Sequence, residues 1–117
     1  MDPHDPAATD PALYKVLFEN ARVRVLEYRD EPGDHTNVHR HPDSVMIPLG
    51  DFRRRVTSGG RSVEVDVRAG EVRWLDAQEH AGENIGDTAS YSVFVELKEP
   101  APVTTPVVEA PLGPAAL

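Results

Sequence analysis

Alternation of apolar and polar residues is the feature that most constrains this chain. Residues 62–68 alternate between valine and polar side chains, and residues 91–98 place tyrosine, valine or leucine at every second position. A period of two is typical of half-buried strands, whereas the 3.6-residue period of an amphipathic helix hardly occurs. Turn-forming residues such as Gly59 and Gly60 separate the apolar segments. We predict an all-β fold of seven or eight short strands, arranged as an antiparallel sandwich or barrel.

Proline content divides the chain into three parts. Residues 1–12 carry three prolines and residues 99–117 carry five, and proline cannot donate a hydrogen bond to a β-ladder. We therefore predict a flexible N-terminal arm (1–12), a β-barrel (13–98) and a Pro/Ala-rich C-terminal tail (99–117). A barrel this small buries a modest share of its surface, so a bound ion or a second subunit would stabilise it. We predict a homodimer on that ground.

Composition excludes several classes of function. The chain has 117 residues, 20 acidic side chains against 12 lysines and arginines, a net charge of −8 and no cysteine. Without cysteine there are no disulfides, thiolate metal sites or cysteine nucleophiles. The acidic balance disfavours nucleic acid and anionic membranes as partners. No apolar run approaches the ~20 residues of a membrane span, and the first ten residues lack a signal-peptide pattern. We predict a cytoplasmic protein with a small-molecule ligand.

Three histidines are candidate metal ligands. His39 and His41 are two residues apart, so in a strand they project to the same face, from where both imidazoles can reach one ion. His80 supplies a third ligand if its strand lies beside theirs. On an unbroken strand His80 would share the buried face of Val72 and Trp74. Spacing alone leaves two interpretations open: a metal site, or ordinary surface and core histidines.

The segment around the first two histidines forms a motif. Gly33 is followed by five residues, then by His39-Arg40-His41, and later by Gly50.

A second motif follows the first along the chain. It runs from Gly70 through His80 to Asn84, with three residues between the last two. Together the two motifs resemble those of the cupin superfamily, and in particular the small one-domain cupins. The resemblance implies a jelly-roll barrel, also called a double-stranded β-helix, with one divalent metal ion at its mouth.

This chain departs from the family pattern at one ligand. The glutamate that usually supplies a fourth ligand would lie at residues 44–46, which are serine, valine and methionine. Asp43 is the only acid close by, and it is either a replacement ligand or a solvated turn residue. What remains is a site of three neutral imidazoles.

Such a site suits Fe, Zn, Ni, Mn or Cu, and we favour iron or zinc. The resemblance to cupin thiol dioxygenases implies a mononuclear non-haem enzyme of dioxygenase type that acts on a small molecule. One alternative is a zinc, nickel or manganese cupin with isomerase, lyase or cyclase activity, for which His35 or Asp43 would be the base. Another is a noncatalytic metal- or ligand-binding cupin.

Three further residues are candidates for the pocket. Gln78 would share the face of His80 and hydrogen-bond a ligand oxygen, unless it is an ordinary loop amide. His35 would lie ~13 Å from His39 along a straight strand, as a proton shuttle at the rim or as a solvated side chain. Arg54 has the parity of its buried neighbours and would clamp a substrate carboxylate, unless it is a surface arginine.

Overall fold

The computed structural model describes residues 2–99 and 112–114. Within them lie one short helix and nine strands, which confirms the predicted all-β class. The elements are α1 (Pro6–Thr9), β1 (Tyr14–Glu19), β2 (Val23–Asp30), β3 (His39–His41), β4 (Ser44–Pro48), β5 (Phe52–Ser58), β6 (Arg61–Val67), β7 (Arg73–Leu75), β8 (Gln78–Asn84) and β9 (Ser90–Leu97). In this part of the chain no helix is long and apolar enough to cross a membrane.

The strands form two antiparallel sheets. One sheet has the order β1-β2-β9-β4-β7 and the other has the order β3-β8-β5-β6. Short turns fix the pairing of neighbouring strands. Gly59 and Gly60 join β5 to β6 with φ angles of 52° and 84°, which is the backbone of a two-residue hairpin turn that twists with the strands.

The hydrophobic core lies between the two sheets. It consists of buried aromatic and aliphatic side chains from both of them. Its members are Tyr14, Leu26, Tyr28, Met46, Phe52, Val67, Leu75 and Phe94.

Strand β9 buries its polar positions. Ser92 and Glu96 are each only 2% exposed, whereas Val93 and Val95 on the opposite face are partly exposed. The sequence pattern correctly predicts a strand here, but alternation cannot tell which face is buried when the interior itself contains polar groups. The face that points into the barrel therefore carries a carboxylate.

Residues 72–80 do not form one unbroken strand, which is the condition on which the parity argument for His80 depends. The chain passes from β7 in one sheet to β8 in the other, and residues 76–77 make the transition. As a result Leu75 is buried, whereas Trp74 is 38% exposed. His80 is nevertheless buried, because its position is set by the pairing of β8 with β3 and not by continuity with Trp74.

Residues 2–12, which the sequence predicts to be a flexible arm, hold helix α1 and pack on the barrel. Buried Asp10 accepts hydrogen bonds from the backbone N–H of Asn37 at 3.0 Å and from its side-chain amide at 3.1 Å. Asp5 forms an ion pair with Arg24. These carboxylates find partners on the barrel, and this holds the segment there despite its prolines.

Most of the predicted C-terminal tail lies outside the described residues. Within residues 112–114, the backbone N–H of Gly113 donates a 2.7 Å hydrogen bond to Oε1 of Gln78. This short segment therefore lies beside strand β8.

Candidate metal centre

Three histidines meet between strands β3 and β8. The antiparallel pairing places His39 directly opposite His80, and His41 is two residues farther along β3. The ring centroids of the three imidazoles are 4.7 to 5.2 Å apart, and one ligand nitrogen from each ring lies within 4.8 Å of the others. All three side chains are buried. The structure thus brings together the three residues that the sequence nominates as ligands.

Each of the three rings uses its Nδ1 atom to bond to the protein. Nδ1 of His39 lies 2.9 Å from the carbonyl oxygen of Asn37, and Nδ1 of His80 lies 2.7 Å from Oε1 of Gln78. Nδ1 of His41 lies 3.2 Å from Oε2 of Glu96. Because all three partners are acceptors, Nδ1 carries the proton in each ring, and the lone pair of Nε2 is left for a ligand.

The environment of the Nε2 atom of His41 indicates whether these residues fit a metal ion. It is buried and has no hydrogen-bond partner among the described residues. Buried polar atoms nearly always have a partner, so an orphaned one calls for an explanation. A metal ion would accept this lone pair, and the same ion would accept those of the two neighbouring rings. The residues present therefore fit a three-histidine metal site.

The environment keeps two of the rings neutral. Burial, and next the electrostatic effect of the neighbouring His41, lowers the pKa of His39 to about 4. Burial and the two neighbouring histidines hold the pKa of His80 well below its usual value. Neutral imidazole is the form that binds metal ions. Near neutral pH these two rings are thus in the state that a metal site requires.

Glu96 is a residue of the site that the sequence analysis missed. It is 2% exposed, and its second oxygen accepts a 2.8 Å hydrogen bond from Nε of Arg24, which in turn pairs with Asp5. A chain of charges thus runs from the surface to His41. Its parity with Phe94 in β9 shows that the two side chains share a face, but the sequence alone does not show that this face is the buried one.

Glu96 contacts a ligand ring and is not one of the side chains that could hold the ion. Its carboxylate bonds to Nδ1 of His41, on the side of the ring away from the shared nitrogen atoms. Carboxylates in this position orient a ligand histidine and raise its basicity. Strand β9 therefore supplies a carboxylate to the site. This carboxylate bonds to a ligand ring, whereas the glutamate expected at residues 44–46 would bind the ion directly.

Asp43 has the environment of a turn residue. Asp43 is partly exposed, and its carboxylate accepts a 2.8 Å hydrogen bond from the backbone N–H of Ala77. It lies outside the group of side chains that could share an ion.

Gln78 and His35 both lie outside the group of side chains that could share an ion. Gln78 contacts Nδ1 of His80 and so orients a ligand ring, whereas the sequence suggested a contact with a ligand oxygen. His35 is exposed and forms an isolated backbone bridge with Glu83. Neither observation places a proton-transfer group in the centre.

Arg54 points into the barrel, as its parity in β5 predicts. Its side chain is 12% exposed and pairs with fully buried Asp30 at 2.5 Å. It also donates a 3.1 Å hydrogen bond to the hydroxyl of Tyr28. Gly82 makes room for it, since a Cβ atom there would lie 2.7 Å from Arg54 Nη2. The predicted carboxylate clamp thus already holds a carboxylate of the protein.

The histidines and Arg54 border one cavity of about 50 Å³. Its other walls are mainly apolar and include Met46, Val56 and Phe94. Pro114 of the C-terminal segment lies at its edge. The centre is thus bordered mainly by nonpolar side chains and has space beside it for only a small group.

Comparison with known proteins identifies the family. A scan of protein-family models and a search of curated proteins both find no match, but many solved structures do match. A cupin domain protein from Bordetella pertussis is 30% identical, with a TM-score of 0.69, and the match covers 74% of this chain and 93% of that protein.

Two more distant structures share the fold. A double-stranded β-helix protein from Klebsiella pneumoniae has a TM-score of 0.60 at 18% identity, over 89% of this chain and 84% of its own. A cupin superfamily protein from Desulfitobacterium hafniense has a TM-score of 0.57 at 16% identity, over 74% and 77%. These matches confirm the predicted jelly-roll barrel. Given the 30% identity over nearly the whole Bordetella domain, this chain belongs to the cupin superfamily.

Proposed function

We propose that this cupin is a mononuclear metal enzyme that acts on a small molecule by dioxygenase-type chemistry. The observation that carries the proposal is the convergence of three imidazole rings. His39, His41 and His80 each offer one ring nitrogen within 4.8 Å of the others. Because Nδ1 of each ring bonds to the protein, Nε2 is the nitrogen left for an ion. That is the arrangement in which histidines bind metal ions.

The donor set defines what kind of centre this would be. Three neutral imidazoles add no charge, so a divalent ion keeps its full positive charge and several open coordination positions. When bound, such an ion supplies Lewis acidity and a place where substrate can be activated. Iron and zinc both suit imidazole donors, and we favour iron because dioxygenase chemistry needs a redox-active ion, which Zn²⁺ is not.

The protein residues around the centre have separate tasks. Glu96 orients His41, and Gln78 orients His80. The apolar wall formed by Met46, Val56 and Phe94 limits the water that can enter, and exclusion of water strengthens electrostatic interactions within the cavity. The cavity of about 50 Å³ favours a substrate that presents only a few atoms to the ion.

The positions of two residues argue against the isomerase or lyase alternative. That chemistry needs a base close to the substrate. Of the two bases proposed from the sequence, His35 is exposed and Asp43 bonds to the backbone of Ala77. Neither lines the cavity. We therefore rank the dioxygenase first.

The experiment begins with the metal content of untagged protein purified without oxygen. We expect about one iron per chain in the wild type, and near-background metal in variants His39→Ala, His41→Ala and His80→Ala. The matched control is His35→Ala, which removes an exposed histidine outside the cluster and should leave the metal content unchanged. Equal metal content in all of these proteins would overturn the metal site.

Oxygen consumption then tests the reaction. The iron-loaded protein is mixed with a panel of small thiols and enolic compounds, and oxygen uptake is followed with an electrode. We expect uptake with at least one compound, and none in His80→Ala. Full occupancy by zinc without any oxygen uptake would refute the dioxygenase assignment while leaving the metal site intact.

A further inference from the structure

Tyr14 lies at the metal centre, although the sequence analysis gave no reason to single it out. It is the first residue of β1 and is 7% exposed. Its ring centroid is 5.5 Å from that of His39 and 6.0 Å from that of His41. Its hydroxyl oxygen is 3.5 Å from Nε2 of His39. The side chain therefore reaches the side of the histidines where an ion would bind.

The hydroxyl of Tyr14 and a bound ion would both use the lone pair on Nε2 of His39. Nδ1 of His39 donates to the carbonyl of Asn37, so Nε2 holds the lone pair and the tyrosine O–H is the donor. At 3.5 Å this hydrogen bond is at the outer limit of length and is weak. An ion that binds Nε2 takes the same lone pair. The hydroxyl then has to donate to something else.

A buried hydroxyl rarely remains without a partner, because desolvation without a hydrogen bond is unfavourable. The ring of Tyr28 is 4.7 Å from that of Tyr14. The Tyr28 hydroxyl already donates a hydrogen bond to Asp30 and accepts one from Arg54. Tyr14 lines the same cavity as the three histidines. The acceptor best placed for its proton is a group that enters this cavity.

We propose that Tyr14 positions the exogenous ligand of the metal centre by donating a hydrogen bond from its hydroxyl to it. The ligand class is a small anion, or the anionic end of a substrate, with an acceptor atom beside the ion. The proposal rests on the proposed function, since it needs a metal ion on the three histidines. It assigns Tyr14 a role in holding the ligand and gives it none in holding the metal.

Cobalt(II) and azide provide a test that does not depend on activity. Wild type, Tyr14→Phe and Tyr28→Phe are loaded with cobalt, and azide is titrated at fixed pH while the visible absorption of the cobalt is followed. We expect Tyr14→Phe to weaken azide binding by about tenfold, because a hydrogen bond to a charged acceptor is lost. Its affinity for cobalt itself should stay within about threefold of wild type, since no ligand atom has changed.

Tyr28→Phe is the matched control. It removes the same atom from a neighbouring buried tyrosine whose hydroxyl is bound to Asp30 and Arg54. We expect azide affinity within about twofold of wild type and a lower midpoint of urea unfolding, because a buried hydrogen bond is lost. Equal loss of azide affinity in both variants would overturn a specific role for Tyr14.

The remaining outcomes separate the two proposals. Cobalt binding with unchanged azide affinity in Tyr14→Phe would overturn this inference alone. Failure of the wild type to bind cobalt would overturn the metal site and this inference with it. Should Tyr14→Phe fail to fold, infrared spectra of azide on the wild-type cobalt protein replace it: a band shift between H₂O and D₂O is expected from hydrogen-bond donation, and its absence would contradict the proposal.

Discussion

Two groups of buried polar side chains lie inside the same barrel and differ in how fully they are bonded. The candidate metal centre consists of three histidines that each place one ring nitrogen within 4.8 Å of the others. The second group, here called the arginine cluster, pairs donors with acceptors throughout. It consists of Tyr28, Asp30, Arg54, Asn84 and Ser90.

This difference in hydrogen bonding distinguishes a group that can bind a ligand from a group that stabilises the fold. In the arginine cluster, Asp30 accepts hydrogen bonds from Tyr28, Arg54, Asn84 and the backbone N–H of Ser90, so its carboxylate has no acceptor site left for a ligand. In the metal centre, His41 Nε2 remains without a partner in the described structure. A saturated buried network holds the fold together, whereas an unsaturated one can hold a ligand. The predictions below test whether the two groups are independent.

The largest expected effect is the loss of Asp30. Asp30→Ala leaves the guanidinium of Arg54 buried without its main counter-charge, and removal of one partner from a buried pair costs about 3–5 kcal/mol of unfolding free energy. We expect this loss in urea denaturation of the metal-free protein. Metal affinity should stay within about threefold of wild type, because no ligand or partner of a ligand is altered.

The control for Asp30→Ala is an ion pair of the same type on the surface. Glu64 pairs with Arg53, and both side chains are more than 40% exposed. Glu64→Ala should cost less than about 1 kcal/mol. If Asp30→Ala weakened metal binding by as large a free energy as it destabilised the fold, the two groups would be one coupled network and the comparison would fail.

Acid should damage the metal centre before it damages the arginine cluster. The folded protein holds the pKa of His39 at about 4, whereas an unfolded histidine titrates near 6.5. Between these values the unfolded chain binds more protons, so the stability of the metal-free protein falls as pH drops from 6.5 to 4. For His39 alone the loss is about 3 kcal/mol, and His80, whose pKa is also lowered, adds to it.

The arginine cluster titrates in a different window. Burial raises the pKa of Asp30, but Arg54 and the hydrogen bonds outweigh it, so the pKa is lowered from 3.8. The stability contributed by Asp30 is therefore lost only below about pH 4. Urea midpoints measured from pH 7 to pH 3 should show two separate declines. A flat profile from pH 7 to pH 5 would contradict the buried neutral state of His39 and His80.

A smaller effect is expected from the charge on Glu96. Glu96→Gln keeps the size of the side chain but removes the negative charge next to Nδ1 of His41. Loss of such a partner typically lowers metal affinity by about 10- to 100-fold, which competition with a coloured chelator would measure. Glu79→Gln, at an exposed partner of Arg40, serves as the control and should change nothing. Wild-type affinity in Glu96→Gln would show that the carboxylate does not tune the site.

The sequence predicts the ligands better than it predicts their surroundings. The step from His39 to His41 fixes two side chains on one face by local geometry alone. His80 was proposed first from its parity with Val72 and Trp74 and then from the second motif, but its placement depends on the pairing of β8 with β3, which no local pattern encodes. The argument from Trp74 was wrong, since this residue lies in the other sheet.

Residues that act across the barrel could not be found by spacing. Glu96 reaches His41 over 55 positions of sequence, and Tyr14 reaches His39 over 25. Such contacts arise only when the sheets close on each other, and their residue types are common in ordinary strands. The arginine cluster was detected in part, because the parity of Arg54 in β5 pointed inward. The cytoplasmic location and the homodimer stay predictions.

The smallest effect is expected at Gln78, which provides a neutral counterpart to Glu96. Its Oε1 accepts the Nδ1 proton of His80 at 2.7 Å, while strand pairing independently holds His80 opposite His39. Gln78→Ala should therefore lower metal affinity by only about three- to tenfold, the worth of one neutral hydrogen bond. Gln78→Glu restores an acceptor and adds charge, so it should bind metal at least as tightly as wild type.

Nitrogen NMR of the metal-free protein would show the cause as a partial shift of the His80 proton to Nε2 in Gln78→Ala. If Gln78→Ala cost as much affinity as Glu96→Gln, the position of the proton would matter more than the charge behind it, and both outer partners would work by fixing the tautomer.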